Sequence, residues 1–204
     1  MKMFNLLHFH RRRMMVVSAF CFGYGSLCYN ARNWKSDILR MGAAGSLANC
    51  TVECLFHVVD TVNIRAKASD SRQSTSSLVS KIWSKEGIYG FGKGFSACLY
   101  GSAACGFIYF SLYKAFKKYF TEVFGHSLDM AFCFMLASFT AELLTLSVQY
   151  PYDLIKCRLQ SVNYIFKYQN LPHAFRKEIR NNGVKALYEG ALPFLLTYTT
   201  FVAL

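Results

Sequence analysis

The chain has 204 residues, 53% of them hydrophobic and only 17% charged, against roughly 25% charged in an ordinary soluble domain. Lys and Arg outnumber Asp and Glu by 23 to 11, a net charge of +12, and mean hydropathy is +0.21. These values exclude a disordered chain and an ordinary soluble enzyme, and they turn the basic surplus away from nucleic acid toward anionic lipid and positive-inside loops. Three prolines leave room for long helices. The eight cysteines form no C-x-x-C pair and no histidine clusters with them, so they read as small hydrophobes, with no metal site. The class expected is an all-α membrane protein.

Residues 1–13 carry Lys2 and Arg11–Arg13 with no acid, and the apolar run Met14–Tyr29 follows at once. Sixteen residues serve either as the core of a targeting segment or as a short extra membrane span. The next apolar stretch, Ile38–Val62, holds Gly42, Ala43, Ala44, Gly45, Ser46 and Ala48, small residues that let helices approach closely in lipid. The polar segment Asn63–Lys93 contains a short helix over Ser77–Lys85, ended by Gly87. Apolar stretches over Phe95–Phe116 and Met130–Tyr150 come next. The polar segment Asp153–Lys185 has a short helix over Ala174–Asn181, and a last apolar stretch starts at Ala191. The chain divides into residues 1–35, a first repeat over 36–127 and a second over 128–204, the last ending within its second helix.

The repeat rests on landmarks. Asp60 and Asp153, like Arg65 and Arg158, stand 93 positions apart; Gly87 and Gly183, like Gly94 and Gly190, stand 96 apart. Long helix, D-x-x-x-x-R, short helix, G-x-x-x-x-x-x-G, long helix is one supersecondary unit written twice. Residues 63–94 hold six basic and two acidic side chains and residues 154–190 seven and two, so both long polar segments face the positive side. A span over 14–29 returns the basic residues 1–13 to that same side, which favours the span.

Glu53 and Glu142 fall inside apolar stretches, where an ionised group costs about 2.5–3.5 kcal/mol or more. At 100° per residue both lie within about 20° of the Asp60 and Asp153 faces of their helices, and Asn49 shares that face. They mark a polar cavity taking a proton or cation, or an interhelical hydrogen bond from a protonated carboxyl, or a contact with a partner subunit. No cationic partner for them is visible in the sequence. His57, one turn before Asp60, reads as a packed histidine rather than a ligand.

Pro151-Tyr152-Asp153-Leu154-Ile155-Lys156-Cys157-Arg158-Leu159-Gln160 resembles, position for position, the P-x-[DE]-x-x-[KR]-x-[RK]-x-Q signature of the mitochondrial carrier family. His57 to Arg65 resembles it with Val58 at the proline and Asn63 at the cation. Glu86-Gly87 through Phe91-Gly92-Lys93-Gly94 resembles the family's second element, and Asn182-Gly183 through Tyr188-Glu189-Gly190 is a looser match. The resemblance covers residues 36–204. It implies a carrier-type tilted helix bundle in the mitochondrial inner membrane, crossing it several times, here incomplete with two of three repeats.

By that resemblance the matrix gate comprises Asp60, Asn63, Arg65, Asp153, Lys156, Arg158 and Gln160, with Asp60 paired to Lys156 and Gln160 as a brace. An outer gate survives as Tyr113, Lys114 and Lys117, its acid replaced by Lys114. Cavity contacts fall at Gly101, Thr197 and Tyr198, beside Asn49, Glu53 and Glu142. Gly87, Lys93, Gly94, Gly183 and Gly190 stand where the family binds cardiolipin phosphates, a structural lipid rather than a cofactor; helix starts favour phosphate in any case. Glu189 stands where a base is usual. The broken gates, the extra span and the absent third repeat imply a degenerate carrier serving as a subunit of a larger inner-membrane complex, with partner subunits covering the open side. The alternative is a working solute exchanger with a third repeat beyond residue 204. With no nucleophile–base set, metal quartet or phosphate loop, neither an enzyme nor a nucleic-acid binder is expected.

Overall fold

The computed structural model describes residues 23–26, 29–69, 74–126, 129–161, 168 and 170–203, and all regular structure among them is helical. The α-helices are α1 (Asp37–Lys67), α2 (Thr75–Glu86), α3 (Phe95–Phe124), α4 (Met130–Ser161), α5 (Leu171–Asn182) and α6 (Ala191–Ala203). Short 3-10 turns over Gly87–Gly90 and Val184–Tyr188 follow α2 and α5, so the long–short–long order recurs. Most of the span expected over residues 14–29 lies outside the described residues. Among the described helices, α3 and α4 are long and apolar enough to cross a bilayer.

The long helices run past the apolar stretches that announce them. α1 continues to Lys67, α3 to Phe124 and α4 to Ser161, because hydropathy marks only the lipid-facing length while the polar last turns still hydrogen-bond as helix. Asp37 in the first turn of α1 and Arg65 and Lys67 in its last turn complement the helix dipole.

The contacts gather into two compact units. The first contains residues 1–49 and 106–141. Here the small residues of α1 have the use expected of them. A Cβ on Gly106 would sit 2.9 Å from Ser46 Cα and 3.0 Å from Asn49 Cβ, while one on Gly42 or Gly45 would run into Ser111 or Phe110. Tyr109 and Ser138 hydroxyls lie 3.0 Å apart.

The second unit contains residues 50–105 and 142–204. It packs each short helix against the long helix before it: Leu78 and Ile82 of α2 close on Val62, and Leu171 and Ala174 of α5 close on Ile155 with Ala97 and Leu187. Val62 and Ile155 are equivalent positions of the repeat, 93 apart. α5 starts at Leu171, three residues before the expected start, because the Asn170 side chain accepts from His173 N at 2.9 Å and Pro172 occupies the first turn. Pro151 lies inside α4 and cannot donate to the Ser147 carbonyl one turn back. The Tyr188 hydroxyl donates to that carbonyl instead, at 2.7 Å.

Candidate functional site

The second unit brings the signature residues together. Lys156 Nζ, on α4, donates to Asp60 Oδ2 at 3.0 Å and to Glu53 Oε2 at 2.8 Å, both on α1. Its side chain is 10% exposed, whereas Glu53 and Asp60 are partly open, at 35% and 41%. The Asp60–Lys156 pair stands as the sequence predicts. Glu53 corrects the expectation: it has a cationic partner, 103 residues away in the chain. Two turns of α1 separate the two acids, and one flexible ammonium reaches both. Cys98 Sγ donates to the same Glu53 oxygen at 3.2 Å.

Gln160 braces the joint from below. Its Nε2 donates to Thr61 Oγ1 at 2.9 Å, and its backbone carbonyl accepts from Arg65 Nε at 3.1 Å. Gly94, at φ +78°, admits Gln160: a Cβ there would lie 2.9 Å from Gln160 Cγ. Asn63 is exposed and adds no cation to the joint. Asp153 accepts from Gln149 Nε2 at 3.2 Å.

Each repeat anchors its arginine to the short-helix side. Arg65, 8% exposed, donates Nη1 to Glu86 Oε1 at 3.2 Å, Nη2 to Glu86 Oε2 at 2.9 Å and Nη2 to the Gly90 carbonyl at 2.9 Å. Lys93 pairs with Glu86 at 2.9 Å. Burial pushes the Glu86 carboxyl up, but the hydrogen bonds from Arg65 and Lys93 outweigh it and hold the group below the usual carboxylate range. In the second repeat Asn182 occupies the place of Glu86, and the acids are found elsewhere. Arg158 pairs with buried Glu178 at 2.7 Å and with exposed Glu189 at 3.1 Å. Glu189 is therefore a relocated partner rather than a damaged position. Glu178 also accepts from the Tyr168 hydroxyl and from Asn182 Nδ2. Burial and that bond to Glu178 push the Tyr168 phenol up to about 12.

Several expected contacts fall elsewhere. Gly101 is a packing position rather than a cavity contact: a Cβ there would lie 3.0 Å from Tyr152 Cβ, so glycine lets α3 and α4 approach. The Thr197 hydroxyl donates to its own helix at Pro193 O, 2.6 Å away, and is exposed. The Tyr198 side chain lies outside what the structure describes. Glu142 is half-buried on α4. In the first unit Asn49 is half-buried beside Gly106, Tyr113 stacks on Tyr109, Lys117 sits 3.8 Å over the Phe134 ring, and Lys114 lines a groove with Asp37 and Arg40. A cation over the face of an aromatic ring is held there by the ring's quadrupole. Gly87, Gly94, Gly183 and Gly190 all have positive φ, at +62°, +78°, +76° and +82°. With ψ near 180°, Gly87 and Gly183 occupy a region essentially reserved for glycine.

A duplicated helical unit, with bilayer-length helices and an ion pair joining the first long helix of each copy, defines a membrane carrier architecture. Residues 35–124 and 131–204 match the mitochondrial carrier protein family, and the chain belongs to it. Among similar proteins, mitochondrial substrate carrier family protein E of Dictyostelium discoideum is 27% identical over 184 residues, covering 84% of this chain and 61% of that protein. Mitochondrial ornithine transporter 1 of Rattus norvegicus is 29% identical over 178 residues, 81% of this chain and 58% of the transporter. Mitochondrial substrate carrier family protein X of Dictyostelium discoideum is 31% identical over 157 residues, 74% of this chain and 50% of that protein. The chain thus spans half to about three-fifths of the length of these relatives.

Proposed function

We propose that the chain supplies two repeats of a solute carrier of the mitochondrial inner membrane, with Lys156, Asp60 and Glu53 as its matrix-side gate. The observation that carries this reading is the pair of hydrogen bonds from Lys156 on α4 to Glu53 and Asp60 on α1, Lys156 and Asp60 both standing at signature positions. An ion pair in a partly desolvated site has small net worth, so solute binding can supply the free energy that breaks it. The carrier and transporter names of the relatives favour this reading over an accessory subunit, which was the first expectation from the altered gates. Asn63 leaves this gate with fewer cations than acids, and a third repeat, from this polypeptide or another, closes the barrel. Cardiolipin phosphate is proposed at Gly87 and Gly183, where no atom stands within 4 Å of an added Cβ.

Reconstitution into cardiolipin-containing liposomes tests the reading. The protein is expected to exchange at least one of labelled ornithine, a dicarboxylate or a nucleotide, with exchange abolished in Lys156→Gln and partly kept in Lys156→Arg. A folded protein that exchanges none of them and purifies with a large inner-membrane complex would restore the subunit reading.

A further inference from the structure

The gate offers acceptors and few donors. α1 presents Glu53, His57 and Asp60 at spacings of four and three, along one face. α4 adds Asp153, one turn before Lys156. Two carboxylates thus share one ammonium, with Asp153 nearby on Gln149, since Lys156 is the only cation bonded to Glu53 and Asp60 among the described residues. His57 is 2% exposed, its ring edge against Phe95 at 5.1 Å, and beyond the Lys93 backbone its ring nitrogens have no hydrogen-bond partner among the described residues. A neutral imidazole always carries one acceptor nitrogen. Gln160 Oε1, one turn beyond Lys156 and fully buried, is a second acceptor without a donor. Buried acceptors of this kind are ordinarily paired, so both point to a ligand that donates.

We infer that Glu53 binds an ammonium or guanidinium group of the transported solute, which takes the place of Lys156 on that carboxylate; this rests on the carrier reading above. Glu53 lies two turns from Asp60, about 10 Å along α1, and is partly open, so a cation can reach it while Asp60 still holds Lys156. Glu53, Asp60 and Lys156 together carry one net negative charge, which a bound ammonium neutralises, and this lowers the cost of bringing a cation into the bilayer. Lys156, released from Glu53, then holds the gate by Asp60 alone. Binding of a cationic solute and weakening of the gate are one event.

The test is binding, read separately from transport. 1,4-Diaminobutane and L-lysine are expected to raise the thermal midpoint of the purified full chain in lipid micelles, whereas succinate does not. Glu53→Gln should weaken the diamine effect about tenfold or more, the loss of one charge-assisted bond. Asp37→Asn, exposed and remote, should leave it unchanged. Should Glu53→Gln not fold, carbodiimide coupling of the wild-type Lys156 to Glu53 gives the answer: N,N,N′,N′-tetramethyl-1,4-diaminobutane, which cannot itself form an amide, must suppress it and sodium chloride at equal ionic strength must not. Equal shifts with succinate, or a diamine effect that survives in Glu53→Gln, would overturn the inference. Diamine binding without exchange of any solute would leave Glu53 as an ammonium site and sink the carrier reading. Exchange of anions alone, with no diamine binding, would do the reverse.

Discussion

The Arg65–Glu86 clamp carries the sharpest energetic prediction. Arg65 is buried and makes four hydrogen bonds, two of them to Glu86, which is 25% exposed. Glu86→Gln keeps one acceptor but removes the counter-charge, leaving the guanidinium beside the Lys93 ammonium. Breaking a fully buried pair costs about 3–5 kcal/mol; partial exposure and the retained acceptor reduce this to roughly 2–3 kcal/mol. For a chain of this length that is about 4–12 °C in thermal midpoint. The assay is a thiol-reactive fluorophore read during heating in lipid micelles, since Cys50, Cys98, Cys105 and Cys133 are buried and react on unfolding. Glu189→Gln is the internal control: its carboxylate is 74% exposed and the loss should stay within about 1 kcal/mol. The pH dependence has a definite sign. A carboxyl held low in the fold adds stability above its unfolded value, and that stability is lost as pH falls through the folded value. The deficit of Glu86→Gln should therefore be full at neutral pH and shrink as pH drops below the usual carboxylate range. A deficit no larger than that of Glu189→Gln, or one independent of pH, would refute the reasoning.

Three further outcomes follow from particular contacts. Gly101→Leu should destabilise by about 1–3 kcal/mol by overpacking Tyr152, in the same heating assay, whereas a true cavity position would tolerate it. Tyr188→Phe leaves the Ser147 carbonyl, already without its helical donor at Pro151, unpaired on that side; a loss of about 0.5–1.5 kcal/mol is expected. Tyr168, raised to about 12 by burial and its bond to Glu178, should add stability in full below the ordinary phenol value and lose it as pH rises through about 12. The alkaline melting difference between wild type and Tyr168→Phe reads it out.

The duplicated order of helices was legible because hydropathy and glycine landmarks both repeat, and Asp60–Lys156 was legible through its signature. Helix ends were read short wherever a polar turn extends an apolar run, as at Phe124 and Ser161. The start of α5 is written in the Asn170 cap and Pro172, ahead of the point from which apolar periodicity alone predicts the helix. The partner of Glu53 could not be found from the chain, since it lies 103 residues away on another helix and is already engaged with Asp60. Glu189 illustrates a related limit. A charge that departs from a pattern looks like damage until a second departure, Asn182 in place of the Glu86 equivalent, is seen to be offset by it around Arg158. Gly101 cannot be distinguished from a cavity contact without knowing how near Tyr152 comes.

The most direct test of the gate is zero-length carbodiimide coupling in native membranes, followed by peptide mass spectrometry. It joins an ammonium to a carboxylate by an amide, with loss of water, only where the two already touch. The account predicts an isopeptide between Lys156 and Glu53 or Asp60, absent in Lys156→Arg, and loss of solute exchange in proportion to its yield. Lys156 recovered uncoupled while Lys93 couples to Glu86 in the same sample would contradict the gate.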